Sequence, residues 1–249
     1  MRVLVLGFTG MLGNAVWRYL IRESEPDTEL RTSVTEETQI TAGLRWPNED
    51  FKDVLKNYDG DYIINCIGAI PQRTAKFEIN YELPMWLDDN VTCRVIHQDT
   101  DARRDEDDYS FSKAEAARHL SHNGKRTKML KTNVIGHDKN KVCLLDWFLN
   151  SEGEVDGYTE SYSNGSTTLE WAKQVCKMMN NWERYAKCTT MSTKCISKYE
   201  LLNLFKEVYN KDIVINKKTN LKNNRCLRGQ IKVPSLREQL EELKEFYDY

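Results

Sequence analysis

Tyr109 and Lys113 stand four residues apart in Tyr109-Ser110-Phe111-Ser112-Lys113, with Thr100 shortly before them. The stretch from Ser110 to Leu120 is alanine-rich and helical in character. Tyr109 and Lys113 therefore share one helix face, one turn apart. An ammonium beside a phenol favours the ionised form and lowers a pKa that is about 10 when unperturbed. A phenol tuned in this way can give or take the proton of an alcohol/ketone pair near neutrality. Such a pair is common on protein surfaces, and it gains meaning from what precedes it. Gly7, Gly10 and Gly13 recur every three residues in Gly7-Phe8-Thr9-Gly10-Met11-Leu12-Gly13. They follow the apolar run Val3 to Leu6, which suits a strand buried on both faces. A helical pattern through Ala15, Val16, Tyr19 and Leu20 comes next. Strand, glycine turn and helix make a phosphate cradle in which a pyrophosphate sits at a helix N-terminus. Gly7, Thr9, Gly10, Met11, Leu12 and Gly13 are its candidate residues. A Walker loop would require a lysine that is not there.

The elements that must position these groups follow in order. Leu30 to Val34 is expected to be a second strand, at whose end a dinucleotide site reads its ribose. Arg31 is the nearest candidate and leans the cofactor from NAD towards NADP, although Glu29, Glu36 and Glu37 flank it. Residues 50–57 read as a short amphipathic helix. Asp61 to Gly68 is a further buried strand ending in Cys66, Ile67 and Gly68, small or apolar residues placed where strand ends line a ligand crevice. Ile79 to Pro84 opens a helix expected to run two or three turns at most, and Val91 to His97 is a strand leading to Thr100. The pattern predicts an α/β fold with a doubly wound parallel sheet. The dinucleotide-binding core spans residues 1–138. A small discontinuous substrate-binding lobe spans 139–249, with a segment near 187–193 returning to the sheet.

In that second part, Leu144 to Leu149 and Thr168 to Met179 are helical patterns, with Asn150 to Gly165 expected as a polar loop. Trp147 has the chemistry to stack on a base or sugar, although an aromatic at helical spacing is more often core. Ser197 to Glu200 and Ser235 to Glu238 are capping boxes that start two further helices. Residues 211–232 carry seven Lys or Arg against one acid. That run is either a solvated face or, through Arg225 or Arg228, a clamp for a diphosphate.

Composition narrows the class. The 249 residues are 40% hydrophobic and 30% charged, with a formal charge of −2. That balance does not point to nucleic acid or an anionic membrane, and no stretch approaches a membrane span. Seven cysteines without a C-x-x-C pair are expected to be reduced thiols of a cytoplasmic protein. The strand beginning by residue 3 is expected to leave no room for a signal peptide. No metal site is expected, since the four histidines offer no H-x-x-x-H pair.

The chain resembles the extended short-chain dehydrogenase/reductases, and within them the dTDP-4-dehydrorhamnose reductase-like group. GFTGMLG is similar to that group's G-x-x-G-x-x-G loop, Ile64-Asn65-Cys66 to its third core strand, and Thr100-Asp101 to its Thr-Asp pair. YSFSKAEAARHL matches its tyrosine helix loosely, since Glu115 falls early. The likeness continues through Thr132 to His137, Leu144 to Phe148, Asn164 to Leu169 and Ile196 to Leu202. Two departures stand out. Asp99 replaces the group's serine, and only residues 102–108 separate Asp101 from Tyr109. The resemblance implies reduction of a 4-keto-6-deoxy sugar nucleotide by NADPH or NADH, in nucleotide-sugar biosynthesis. Tyr109 would then be proton donor and Thr100 would hydrogen-bond the carbonyl oxygen. Lys113 would hold the nicotinamide ribose, and Asn133, Trp147 and Arg225 would contact substrate. A homodimer is expected. The same family includes a dinucleotide-binding regulatory subunit, so a non-catalytic role is the alternative.

Overall fold

A computed structural model of the chain describes residues 1–23, the backbone of 29–32, and 45–249. The side chain of Arg31 and the flanking Glu36 and Glu37 lie outside the described residues. In chain order the elements begin β1 (Arg2–Leu6), α1 (Met11–Glu23), β2 (Glu29–Thr32), α2 (Glu49–Lys56), β3 (Tyr62–Asn65), α3 (Ile79–Asn90), β4 (Arg94–Asp99), α4 (Asp108–Asn123) and β5 (Thr127–Lys131). They continue with β6 (Val134–Ile135), α5 (Leu144–Asn150), β7 (Glu154–Tyr158), β8 (Ser161–Ser163), β9 (Ser166–Thr167) and α6 (Thr168–Asn180). The last are β10 (Cys188–Thr190), β11 (Ile196–Ser197), α7 (Lys198–Tyr209), β12 (Val214–Lys218), β13 (Asn223–Asn224) and α8 (Leu236–Phe246).

Two compact units divide the chain. The first comprises Met1–Lys131 with Ala172–Thr189, the second Thr132–Trp171 with Thr190–Tyr249. The divide thus falls at 131/132, where the sequence suggested 138/139. The segment that rejoins the first unit includes most of α6 as well as the expected strand.

The first unit holds a six-stranded sheet in the order β10-β5-β4-β3-β1-β2, with the pairs from β2 through β5 parallel. Val3 to Leu6 are wholly buried, as a central parallel strand with both faces covered requires. Leu4, Leu6, Ile63 and Val95 pack with Phe51 and Leu55 of α2 and Leu83 and Leu87 of α3 in one apolar cluster. The i, i+4 spacing of each helix pair is what brings both members onto the sheet. The order of strand addition reverses between β1 and β3: β2 lies on one side of β1, and β3, β4 and β5 on the other. The crevice for a ligand in such a sheet opens beyond the carboxyl ends of the strands at that point. Here those ends are Gly7 and Cys66.

Helix α3 runs twelve residues, through Pro84 to Asn90, longer than its sequence suggested. Its end is consolidated by Asp88, whose carboxylate accepts the backbone N–H groups of Lys125, Arg126 and Thr127 at 2.8–3.0 Å. No local pattern reveals that bond, because its partners lie in another turn of the chain.

In the second unit, the expected loop 150–165 instead contains β7 and β8. Strand β7 pairs in parallel with β12, from Glu154↔Val214 to Tyr158↔Lys218, a partner too distant in sequence to leave a local signal. Three of the seven basic residues of the 211–232 run are engaged there: Lys218 pairs with Asp156 and Lys222 with Glu160, and Lys211 donates to the Leu149 carbonyl. Cys195 and Cys226 form a disulfide with Cα atoms 5.8 Å apart. This corrects the expectation of reduced thiols for that pair, while Cys66, Cys93, Cys143, Cys176 and Cys188 are free. Both capping boxes form, at Ser197/Glu200 and Ser235/Glu238. Among the described residues no helix is long and apolar enough to cross a membrane.

Candidate active site

Within the glycine turn, the fold itself requires glycine at Gly7 and Gly13. Gly7 has a φ of +77°, a left-handed conformation that side chains disfavour. A Cβ on it would lie 3.0 Å from the Ile67 nitrogen. Gly10 N–H donates to the Gly7 carbonyl at 3.0 Å, closing the turn. Gly13 lies flat against it: a Cβ there would overlap the Gly7 carbonyl and come within 2.8 Å of the Phe8 Cα. Gly10 is different. Beyond its own neighbours, a Cβ at Gly10 would meet, among the described residues, only the Gly7 oxygen, at 3.3 Å. The turn therefore leaves space in front of the first N–H groups of α1, where Thr9 is exposed, Met11 is half-buried and Leu12 and Gly13 are buried. A pyrophosphate fits there on steric and electrostatic grounds.

Residues 66–68 form the opposite side. The Ile67 backbone abuts Gly7, and a Cβ on Gly68 would be 3.2 Å from Lys113 Nζ. Lys113 is buried to 5% exposure. No hydrogen bond or ion pair from the described residues reaches its ammonium. Burial pulls its pKa down to about 8, against the opposing charge of Asp99. A buried cation without a hydrogen-bond partner is costly, and vicinal hydroxyls such as those of a ribose would relieve it. The turn, the 66–68 segment and Lys113 together fit a nicotinamide dinucleotide. When bound, that cofactor supplies hydride chemistry.

Helix α4 begins where Asp107 accepts the Ser110 N–H at 2.6 Å, which sets Tyr109 and Lys113 on successive turns. The Thr100 hydroxyl lies near enough to the Tyr109 phenol to favour its ionised form, and it donates its own hydrogen bond to Asp101 Oδ1 at 3.0 Å. The pKa of the phenol moves opposite to expectation. Burial pushes it up to about 12, helped by the carboxylates of Asp101, Asp99 and Asp107, and the Thr100 bond only partly offsets them. Lys113, whose ammonium lies beside Gly68, is not among the groups that act on the phenol and so does not offset its burial. Asp99, standing where the resembled group has serine, is buried. It accepts the Thr100 N–H at 2.8 Å and pairs with Lys131 at 3.2 Å. The short 102–108 segment is fastened to α4 by Arg104, which pairs with Glu115 at 2.8 Å.

Asn80 went unnoticed in the sequence. Fully buried, it accepts the Ala69 N–H at 2.7 Å, and its amide nitrogen donates to the Ala69 carbonyl and to Ser112 Oγ at 3.1 Å each. Ser112 in turn donates to the Tyr109 carbonyl at 2.7 Å. One side chain thus joins the 66–69 segment to the helix of Tyr109 and Lys113. A polar residue inside the apolar face of a short helix was its only sequence signal.

The remaining candidates are in the second unit. Asn133 accepts the Ser166 N–H through its carbonyl at 2.9 Å. Trp147 is not core: it is 43% exposed and borders a cleft of about 610 Å³ with Tyr158, Glu152, Glu154 and Asp156. That acidic lining suits hydroxyl groups better than phosphates. Arg225 is not among the residues lining this cleft, and its N–H donates to the Tyr162 carbonyl at 2.9 Å. Arg31 lies opposite Leu4 in the β1–β2 register.

No protein-family model matches the chain, and no curated protein does. Solved structures match over the full length. A dTDP-4-dehydrorhamnose reductase of Clostridium acetobutylicum superposes with a TM-score of 0.75 at 17% identity, covering 100% of both chains. A dTDP-4-dehydrorhamnose reductase of Bacillus anthracis in complex with NADP gives 0.71 at 12% identity, over 97% of this chain and 98% of that one. A GDP-mannoheptose C4 reductase of Campylobacter jejuni with NADP bound gives 0.68 at 10% identity, over 100% and 98%. At these identities the likeness is one of architecture, and the chain has the fold of the dTDP-4-dehydrorhamnose reductases and related sugar-nucleotide reductases.

Proposed function

We propose that this chain is an NAD(P)H-dependent reductase of a nucleotide-linked 4-keto-6-deoxy sugar. One observation carries the reading. The Thr100 hydroxyl acts on the buried Tyr109 phenol, while the buried Lys113 ammonium faces the segment packed on the glycine turn. A phenol held near 12 is protonated throughout the neutral range, which suits donation of a proton in reduction. In this reading Tyr109 delivers its proton to the carbonyl oxygen as hydride reaches the carbon. The Thr100 hydroxyl rotates from Asp101 to donate to the same oxygen. Lys113 holds the nicotinamide ribose. Asn133, Trp147 and Arg225 belong to the substrate side. Neighbours crystallised with NADP or with NAD support a nicotinamide dinucleotide, and the slight preference for NADP rests on Arg31.

The test is purified protein with NADPH or NADH and a panel of 4-keto-6-deoxy sugar nucleotides, followed at the nicotinamide absorbance. Oxidation of NADPH with one of them is expected. The shortness of 102–108 favours a second reading, a dinucleotide-binding regulatory subunit. Tight dinucleotide binding without turnover of any keto sugar would support that one and overturn the first.

A further inference from the structure

His97 and Asn65 are direct cross-strand partners on β4 and β3, and both are sealed from solvent, at 2% and 0% exposure. Their orientation follows from hydrogen bonding. Asn65 Oδ1 accepts the Ile67 N–H at 3.1 Å, so the atom 3.2 Å from His97 Nδ1 is the amide nitrogen. An amide NH₂ only donates, so Nδ1 must be the unprotonated acceptor and the proton must sit on Nε2. Burial, reinforced by the charge of Lys113, pulls the pKa of His97 down to about 3, which keeps the ring neutral.

The consequences run along the chain to the cofactor side. Ile67 N, held by Asn65, is one of the atoms of the 66–67 segment against which Gly7 closes, and Gly68 follows it beside Lys113 Nζ. A leucine at position 97 would fill the core as well as a histidine does. It would leave the Asn65 NH₂ without an acceptor and remove what keeps Oδ1 aimed at Ile67. We infer that His97 is a positioning residue of the dinucleotide site: through Nδ1 it orients the Asn65 amide, which sets the 66–68 backbone between the glycine turn and Lys113. This rests on the dinucleotide binding proposed above.

The experiment compares His97→Leu, which removes the acceptor, with His97→Asn, whose Oδ1 can take the place of Nδ1. NADPH affinity by fluorescence titration, thermal midpoint, and amide exchange at residues 66–69 are measured on each. His97→Leu is expected to weaken NADPH at least tenfold and to speed exchange at Ile67 and Gly68. His97→Asn leaves a small void and lowers the midpoint, yet keeps affinity within about threefold. Affinity that simply follows the thermal midpoint in both variants would make His97 a packing residue and overturn the inference. So would wild-type affinity in His97→Leu. Wild type that binds neither NADPH nor NADH overturns the dinucleotide reading and this inference with it. Should His97→Leu fail to fold, imidazole ¹⁵N shifts of the wild type decide. The Nε2–H tautomer is expected from pH 5 to 8, and a protonated ring or the Nδ1–H tautomer would refute the inference.

Discussion

Gly10 and Gly13 offer a paired test, because an added side chain meets different surroundings at each. At Gly10 a Cβ has, among the described residues, only the Gly7 oxygen near it, at 3.3 Å, so Gly10→Val should fold. Its branched side chain would then fill the space before the N-terminus of α1. A phosphate bound there would take charge-assisted hydrogen bonds from backbone N–H groups, each worth about 1.5–3 kcal/mol. Losing one or two costs about 1.5–6 kcal/mol, so the Kd for NADPH should rise at least about tenfold. At Gly13 the added atom would lie 2.6 Å from the Gly7 carbonyl carbon and 2.8 Å from the Phe8 Cα. Both are backbone atoms and cannot swing aside. Gly13→Ala should therefore force α1 away from β1 at a cost of about 1–3 kcal/mol. That corresponds to a fall in Tm of about 2–12 °C for a chain of this size. Fluorescence titration with NADPH and thermal denaturation, run on both variants, separate the two effects. A folded Gly10→Val protein with wild-type affinity would remove the pyrophosphate from this turn. Wild-type stability in Gly13→Ala would refute the packing argument.

Two further expectations concern helix α4. Tyr109→Phe keeps the ring against Phe77, whose centroid is 5.8 Å away, so NADPH affinity should stay within about threefold. Turnover of a keto sugar nucleotide should fall by about 10²-fold or more, and full turnover would exclude Tyr109 as the proton donor. Lys113 titrates near 8 in the folded chain, below its ordinary 10.5. Between those values the unfolded chain binds a proton that the folded chain does not. Stability should therefore rise with pH across that window, by up to about 1.4 kcal/mol per pH unit from this group. Lys113→Met should lose the rise, as denaturant midpoints at pH 8, 9 and 10 will report; identical profiles would show that Lys113 is not buried as described.

Much of the fold was legible because its signals are local. An apolar run followed by glycines at three-residue spacing can close only a tight strand–helix turn, and the wholly buried Val3 to Leu6 carry that pattern in consecutive residues. The two capping boxes and the i, i+4 placement of Tyr109 and Lys113 are likewise written in neighbouring positions. What the chain could not state locally is what distant residues do to one another. Strand β7 exists because β12 pairs with it, and Cys195 meets Cys226 across a separation of 31 residues. The phenol of Tyr109 is raised rather than lowered because folding buries it and gathers Asp101, Asp99 and Asp107 about it, while the Lys113 ammonium lies beside Gly68. Spacing fixes which helix face a side chain occupies, but burial and the direction of its charged head are set by elements packed from elsewhere. The buried asparagines make the same point. Asn65 and Asn80 are unremarkable in one dimension, and only the tertiary structure gives each the backbone groups that its amide must satisfy.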